Sequence, residues 1–431
     1  MMIFSKDRIL KILWFLFFFL MIFLPRQMQA IKIGLMALII LYKILAHRFQ
    51  LSYFSSNRHV DRFIVCWFAA AILKISVGMI RGNPGIAESF RMDIGYVILL
   101  LGLFFSIDTR EELEWINKVI LFSGAMCALY TMIWFLVNIG IWPRSLFYAV
   151  DYTTAFGQHE GYTHMTNTNS STLIPILPMC FVSIMTTPKK EGGRVKWITF
   201  FLCLGSAILS GRRMIWAAIP FSMVFVLVLA VCNPQNIRYY QAGTNWKRLG
   251  IILAAVIGAG VIVVATGVIS IDSVIARFRA VMAGGEEAGE RTEQAKALID
   301  GFLKHPLLGS GAGATAEGSL RNQDFTWAYE LSYHAILFHS GAIGFALYVF
   351  ALGSIAAGCI AGARRRDGNY STYVSLLGAL LMGYIANASN PYFSSSFDFL
   401  WWILWPVGYC SVASRLDKSD NTITNRGLAS A

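Results

Sequence analysis

Two adjacent arginines, Arg212 and Arg213, stand in the short turn Ser210-Gly211-Arg212-Arg213 between two apolar runs. Guanidinium groups stay charged at any working pH and meet phosphate oxygens in a planar, two-pronged geometry, so such a pair suits a diphosphate. Snorkelling to a membrane interface to anchor the turn is the structural alternative. Arg291 opens a helical stretch, where the helix dipole disfavours a cation, and this marks it as a further candidate anion ligand. Glu330 and His334 follow at i and i+4, with His339 about a turn farther along. A carboxylate beside an imidazole can fix its tautomer, and either group can take a proton. Glu330 and His334 are therefore the candidate catalytic residues, against the plainer reading of a hydrated pair at a helix mouth.

Weaker signals surround these. The segment Gln158, His159, Glu160, His164, Asn167 and Asn169 suits sugar or headgroup contacts better than a metal, because no ligand quartet closes. Asn167 and Asn169 are kept as candidate substrate-binding residues, with ordinary loop residues as the alternative. Lys74 and Asp93 are membrane-edge charges on neighbouring helices, expected to form a structural pair rather than a transport relay. The seven cysteines lie within or at the edge of apolar windows, without the spacing of metal ligands or an exposed disulfide framework.

The elements that must position these residues are membrane helices. The chain has 431 residues, 56% hydrophobic and only 14% charged, against about 25% charged in soluble proteins. Its mean hydropathy is +0.57. A spanning helix needs about 20 mostly apolar residues. Windows near 9–25, 31–46, 63–80, 92–107, 116–141, 171–187, 196–211, 214–231, 249–270, 333–360, 370–389 and 397–414 meet that need. The expected fold is an all-α polytopic membrane protein of about twelve helices. The first window is too long for a signal-peptide core and lacks a good cleavage site, so it is expected to be retained.

The net charge of +12 falls in alternate loops, among them Lys43 with Arg48, Lys189 with Lys190, and Arg364 to Arg366. By the positive-inside rule those loops and both termini face the cytoplasm. The charge thus orients the protein, and no nucleic-acid partner is needed. Segments 142–170, 211–213, 271–329 and 390–396 then face outward. Three stretches organise the chain: helices over 1–270, a large outer loop over 271–329, and further helices with a short cytoplasmic tail over 330–431. Within the loop Ala295, Leu298, Ile299, Phe302 and Leu303 recur at helical spacing, which predicts an amphipathic helix from Arg291 to Lys304. His305-Pro306 ends it, and the glycines that follow allow backbone to approach closely. No GxxxxGK[ST] phosphate loop occurs.

Three stretches resemble the O-antigen ligase and polymerase superfamily of bacterial envelope polysaccharide glycosyltransferases. Ser210-Gly211-Arg212-Arg213 looks like its Ser-Arg turn. Arg291 through His305-Pro306-Leu307-Leu308-Gly309-Ser310-Gly311 is similar to its Arg, helix and His-Pro-Leu-Leu-Gly-x-Gly signature. Glu330 to Gly341-Ala342-Ile343-Gly344 looks like the following helix with its Gly-x-x-Gly. Phe156-Gly157 to Asn169 is a looser match, and the matches together cover about residues 150–350.

The resemblance implies a GT-C-like enzyme of the bacterial inner membrane, working at the periplasmic face without metal or other cofactor. Its donor would be a polyprenyl-diphosphate-linked glycan, and its acceptor another glycan in a polymerase or lipid A–core in a ligase. Arg212, Arg213, Arg291 and His305 would contact substrate, and Glu330 or His334 would deprotonate the acceptor hydroxyl. Ligases usually carry a His about eleven residues before the Gly-x-x-Gly pair. Glu330 stands at that spacing and His334 lies one turn later, so the base is open between the two. A transporter or flippase for a lipid-linked or small solute is the competing class. Its ionisable residues would gather near the midplane of repeated halves, whereas here they gather at one edge. A structural subunit would not require arginines on an outer turn.

Overall fold

A computed structural model describes residues 6–46, 57–146, 155–159, 162–187, 193–210, 212–232, 247–252, 286–318, 325–365 and 369–429, with a few isolated positions between 253 and 285. Its helices are α1 (Lys6–Phe23), α2 (Gln29–Leu45), α3 (Arg58–Arg81), α4 (Ile86–Phe90), α5 (Tyr96–Phe105), α6 (Arg110–Asn138), α7 (Leu173–Thr186), α8 (Arg194–Leu209) and α9 (Arg213–Cys232). They continue with α10 (Glu286–Lys304), α11 (Ser332–Ala363), α12 (Tyr370–Ser389), the single turn α13 (Tyr392–Ser395) and α14 (Trp401–Ala429). A helix occupies every expected apolar window except 249–270, most of which lies outside the described residues. By length and apolarity alone, six helices among the described residues qualify as membrane spans.

Local chemistry sets the helix ends. Thr109 caps α6 by accepting from the Glu112 amide at 3.2 Å, while the Glu112 carboxylate accepts from the Asp108 amide at 3.2 Å. The first bond satisfies an amide that the first turn leaves open, and the second ties the residue ahead of the cap to the same helix. Two central elements are buried all round: Asn169–Thr186 is fully enclosed, and the start of α14 seats Trp401, Trp402 and Trp405 at 2%, 1% and 0% exposure. A helix apolar on every side belongs in the middle of a bundle. By contrast only 17% of the best window of Met214–Cys232 is buried, which leaves that helix at the periphery.

Three findings refine the expectation of a helical bundle. An antiparallel hairpin, β1 (Ala155–His159) with β2 (Tyr162–Thr166), interrupts the all-α pattern and pairs Gly157 with His164. Cross-strand pairing there satisfies backbone N–H and C=O groups that no helix covers. The loop helix α10 begins at Glu286, so Arg291 lies in its second turn. The expected conflict with the helix dipole therefore does not arise there. Finally, α11 is broken at Gly341, whose φ of 62° and ψ of −173° are non-helical.

That break is filled by the chain after α10. The Ser310 and Gly311 amides donate to the Phe338 and His339 carbonyls at 2.7 and 2.9 Å. The Ala342 amide donates back to the Pro306 carbonyl at 2.8 Å. The interrupted helix thus recovers its backbone hydrogen bonds from another segment, as an apolar setting demands. The Ala312 amide adds a bond to the Lys74 carbonyl of α3 at 2.7 Å. A Cβ at Gly309 would fall within 3 Å of Gly341 and His339 backbone, and one at Gly311 within 3 Å of the Gly78 backbone. The glycine-rich signature is therefore a backbone-to-backbone joint that locks α10 to α3 and α11.

Candidate active-site cavity

The C-terminal ends of α1, α3, α8 and α12 and the N-terminal ends of α4, α9, α11 and α13 meet at one end of the bundle. Between them lies a cavity of about 710 Å³, within the roughly 300–1,000 Å³ range of small-ligand sites. Its lining has four cationic residues, Arg26, Lys74, Arg91 and Arg212, against two acidic ones, Glu88 and Asp93. Lys74 pairs with Asp93 at 2.7 Å, and Arg91 pairs with Glu88. The expected Lys74–Asp93 ion pair is thus present, and it lies in the cavity wall.

Arg212 is set by the turn that carries it. Its amide donates to Ser210 Oγ at 3.1 Å, and its Nε donates to the Asn167 carbonyl at 2.8 Å. Among the described residues no carboxylate pairs with it. One guanidinium edge is thus used for orientation, which leaves the remaining N–H groups for an anion. The Arg213 backbone opens α9, but its side chain lies outside the described residues.

Arg26 reaches the cavity by a different device. It has a left-handed φ of 67°, uncommon for a residue with a Cβ. Asp398 stabilises this conformation by accepting from the Arg26 amide at 2.9 Å. Lys32 Nζ in turn sits 2.5 Å from Asp398, both side chains at 0% exposure. Arg91 and Asp93 lie in a single π-helical turn, Arg91–Gly95, between α4 and α5. Such turns are rare and concentrate at functional sites.

The other sequence candidates fall outside the lining. Glu330 and Arg291 pair with each other at 3.0 Å, so the base and anion-ligand roles assigned to them separately compete within one ion pair. Gln294 Oε1 holds that junction by accepting from the Glu330 and Leu331 amides at 2.8 and 3.0 Å. His334 is half-buried in the first turn of α11, and His305 is exposed at the end of α10. Asn167 and Asn169 are fully buried. Asn167 Oδ1 accepts from the Ser170 amide at 2.8 Å, and Asn169 Nδ2 donates to the Phe23 carbonyl at 2.6 Å. Asn167 thus braces its own turn, whose carbonyl meets Arg212, and Asn169 ties that turn to the end of α1. Of the outer-loop residues, Glu160 lies outside the described residues, as do the side chains of Gln158, His159 and His164.

His339, two residues before the break, lines the cavity. Its Nε2 lies 3.1 Å from the Ala314 carbonyl. A carbonyl only accepts, so Nε2 carries the hydrogen and a neutral ring keeps its lone pair on Nδ1. Tyr329 is buried beside it, and burial pushes its phenol above the ordinary value. Sequence reasoning passed over Arg26, Arg91 and Trp327. The two arginines had a readable signal: both sit at the ends of apolar runs on the same side, by alternate counting, as Arg212.

A comparison with family models matches residues 198–349 to the family described as O-antigen ligase. That span runs from α8 through the Arg212 turn, α10 and the joint into α11. A comparison with curated proteins finds no match. The apolar helices and the family together make the chain a multi-pass membrane protein.

Proposed function

We propose that this chain, whose residues 198–349 belong to the O-antigen ligase family, transfers a glycan from a polyprenyl-diphosphate carrier to an acceptor sugar at the periplasmic face of the bacterial inner membrane. The observation that carries this reading is Arg212, oriented by the Asn167 carbonyl in a cavity whose lining is cationic on balance. Breaking the bond from the anomeric carbon to the diphosphate leaves charge on the phosphate oxygens. Fixed guanidinium groups stabilise that charge more in the transition state than before it. Arg212 and Arg26 would hold the diphosphate, with Arg91 and Lys74 completing the field, so the chemistry needs no metal. Arg213 and His305 stay in the reading as outer contacts at the lipid and glycan.

The acceptor hydroxyl must lose a proton as it attacks the anomeric carbon. Glu330 or His334 would accept it. For Glu330 to take this role its ion pair with Arg291 would have to open. The acceptor is a second lipid-linked glycan in a polymerase or lipid A–core in a ligase, and both termini are taken to lie in the cytoplasm. Deletion of the gene followed by gel analysis of surface polysaccharide tests the assignment. Loss of all attached chains supports a ligase, and products of one repeat support a polymerase. An unchanged pattern, or intact transfer by well-expressed Arg212→Ala, overturns it.

A further inference from the structure

The cationic residues account for one wall of the cavity, and an indole stands in another. Trp327 lines the cavity and is half-buried. A Cβ built on Gly85 would lie 2.5 Å from both Cγ and Cδ2 of that indole and 2.6 Å from Cε2. Near-equal distances to three ring carbons place the Gly85 backbone over the face of the indole rather than its edge. One face of Trp327 is thus backed by main chain that is itself held by a Gly85 amide to Gly313 carbonyl bond of 3.4 Å. Phe325, 50% exposed, braces the ring edge-on at 5.8 Å and 88°. Asn390 and Ser394 bring amide and hydroxyl groups to the same cavity.

This combination fits a pyranose. The C–H groups on one face of a sugar ring carry partial positive charge and suit the negative face of an aromatic π-system, while the ring's rim needs hydrogen-bonding partners. A half-buried indole serving only as packing would not need to line a cavity that also presents amide and hydroxyl groups. We infer that Trp327 is the stacking platform of a sugar subsite, which takes the glycan unit adjoining the diphosphate held by the arginines. The inference rests on the proposed transferase reading and adds where the sugar binds. It also gives Gly85 a role, since only a residue without Cβ lets the backbone lie against the indole.

The test uses the full-length protein in detergent and two probes: a polyprenyl diphosphate without sugar, and the same lipid carrying its glycan. Trp327→Ala is expected to weaken binding of the glycan-bearing lipid about tenfold, the scale of one aromatic face contact, and to leave the sugar-free lipid unchanged. Trp327→Phe should retain most of the affinity, and Gly85→Ala should reproduce the selective loss by pushing the indole from behind. Arg212→Ala should weaken both lipids alike. Unchanged binding of the glycan-bearing lipid by Trp327→Ala, or equal loss of both lipids, overturns the subsite. If Trp327→Ala does not fold, Trp327→Phe and competition by free oligosaccharide against the wild type decide the same point. Failure of the wild type to bind either lipid overturns the transferase reading itself.

Discussion

The two ends of the bundle place charged side chains in opposite settings. At the end where α2 and α5 finish and α3 and α6 begin, Lys43 is fully enclosed between Asp108 at 3.1 Å and Glu112 at 2.6 Å. Trp14 donates to the same Glu112. Asp417 gathers Arg110 and Arg365, and Arg248 donates to the Ile184 and Thr187 carbonyls. At the other end, Arg26, Arg91 and Arg212 line a cavity of about 710 Å³. The sealed pair Lys32 with Asp398 there fixes the backbone that presents Arg26. Charge at the first end completes the fold. At the second, the Lys74–Asp93 and Arg91–Glu88 pairs stand in the wall of the cavity beside Arg212, which bonds the Asn167 carbonyl and meets no carboxylate among the described residues.

Substitutions at the two ends should therefore separate activity from stability. Arg212→Ala should reduce glycan transfer by about 10²–10³-fold, the scale of losing one preorganised charge donor, without lowering the thermal midpoint in detergent. Transfer within a few-fold of wild type would break the comparison at its strongest point. Lys43→Met should do the reverse. Stranding Glu112 and Asp108 should cost about 3–5 kcal/mol, seen as an earlier unfolding transition, while activity per folded molecule is kept. A variant that stays stable but loses activity would move Lys43 into the functional class.

The junction of α10 and α11 lies between these extremes. Arg291→Ala and Glu330→Gln should each lower transfer by roughly tenfold, and the double variant should lose much less than the product, as partners in one pair do. Full additivity would show that the two residues act separately. The smallest effect belongs to Lys304→Ala. Its partner Glu317 is held below the usual carboxylate range by Lys304, but the pair is exposed, at 57% and 87%. Neither transfer nor the unfolding midpoint should change measurably, since exposed pairs contribute little.

The positions of the helices were legible in the residues because apolar runs long enough to cross a bilayer leave few alternatives. Arg212 and the His305 to Gly313 joint were legible too, one as a cation on a turn, the other as proline and glycine after an amphipathic face. The remaining cavity residues were hidden for a definite reason. Residues 198–349 carry the family pattern, but Arg26, Arg91 and Asn390 come from outside that span. Hydropathy cannot say which charges at helix ends will face one another.

Side-chain roles diverged in the same way. Asn167 has the composition of a sugar ligand, yet it is buried and holds Arg212 through its carbonyl. Glu330 has the spacing of a base, yet it meets Arg291. Residue type and spacing by themselves determined a membrane bundle, a charged edge and a family signature, because these follow from transfer energies and local backbone freedom. Only the tertiary structure decided which cations share a cavity, that Trp327 rests on Gly85, and that the Gly341 break is bridged by the loop after α10. Those contacts join residues far apart in the chain, and packing rather than periodicity chooses them.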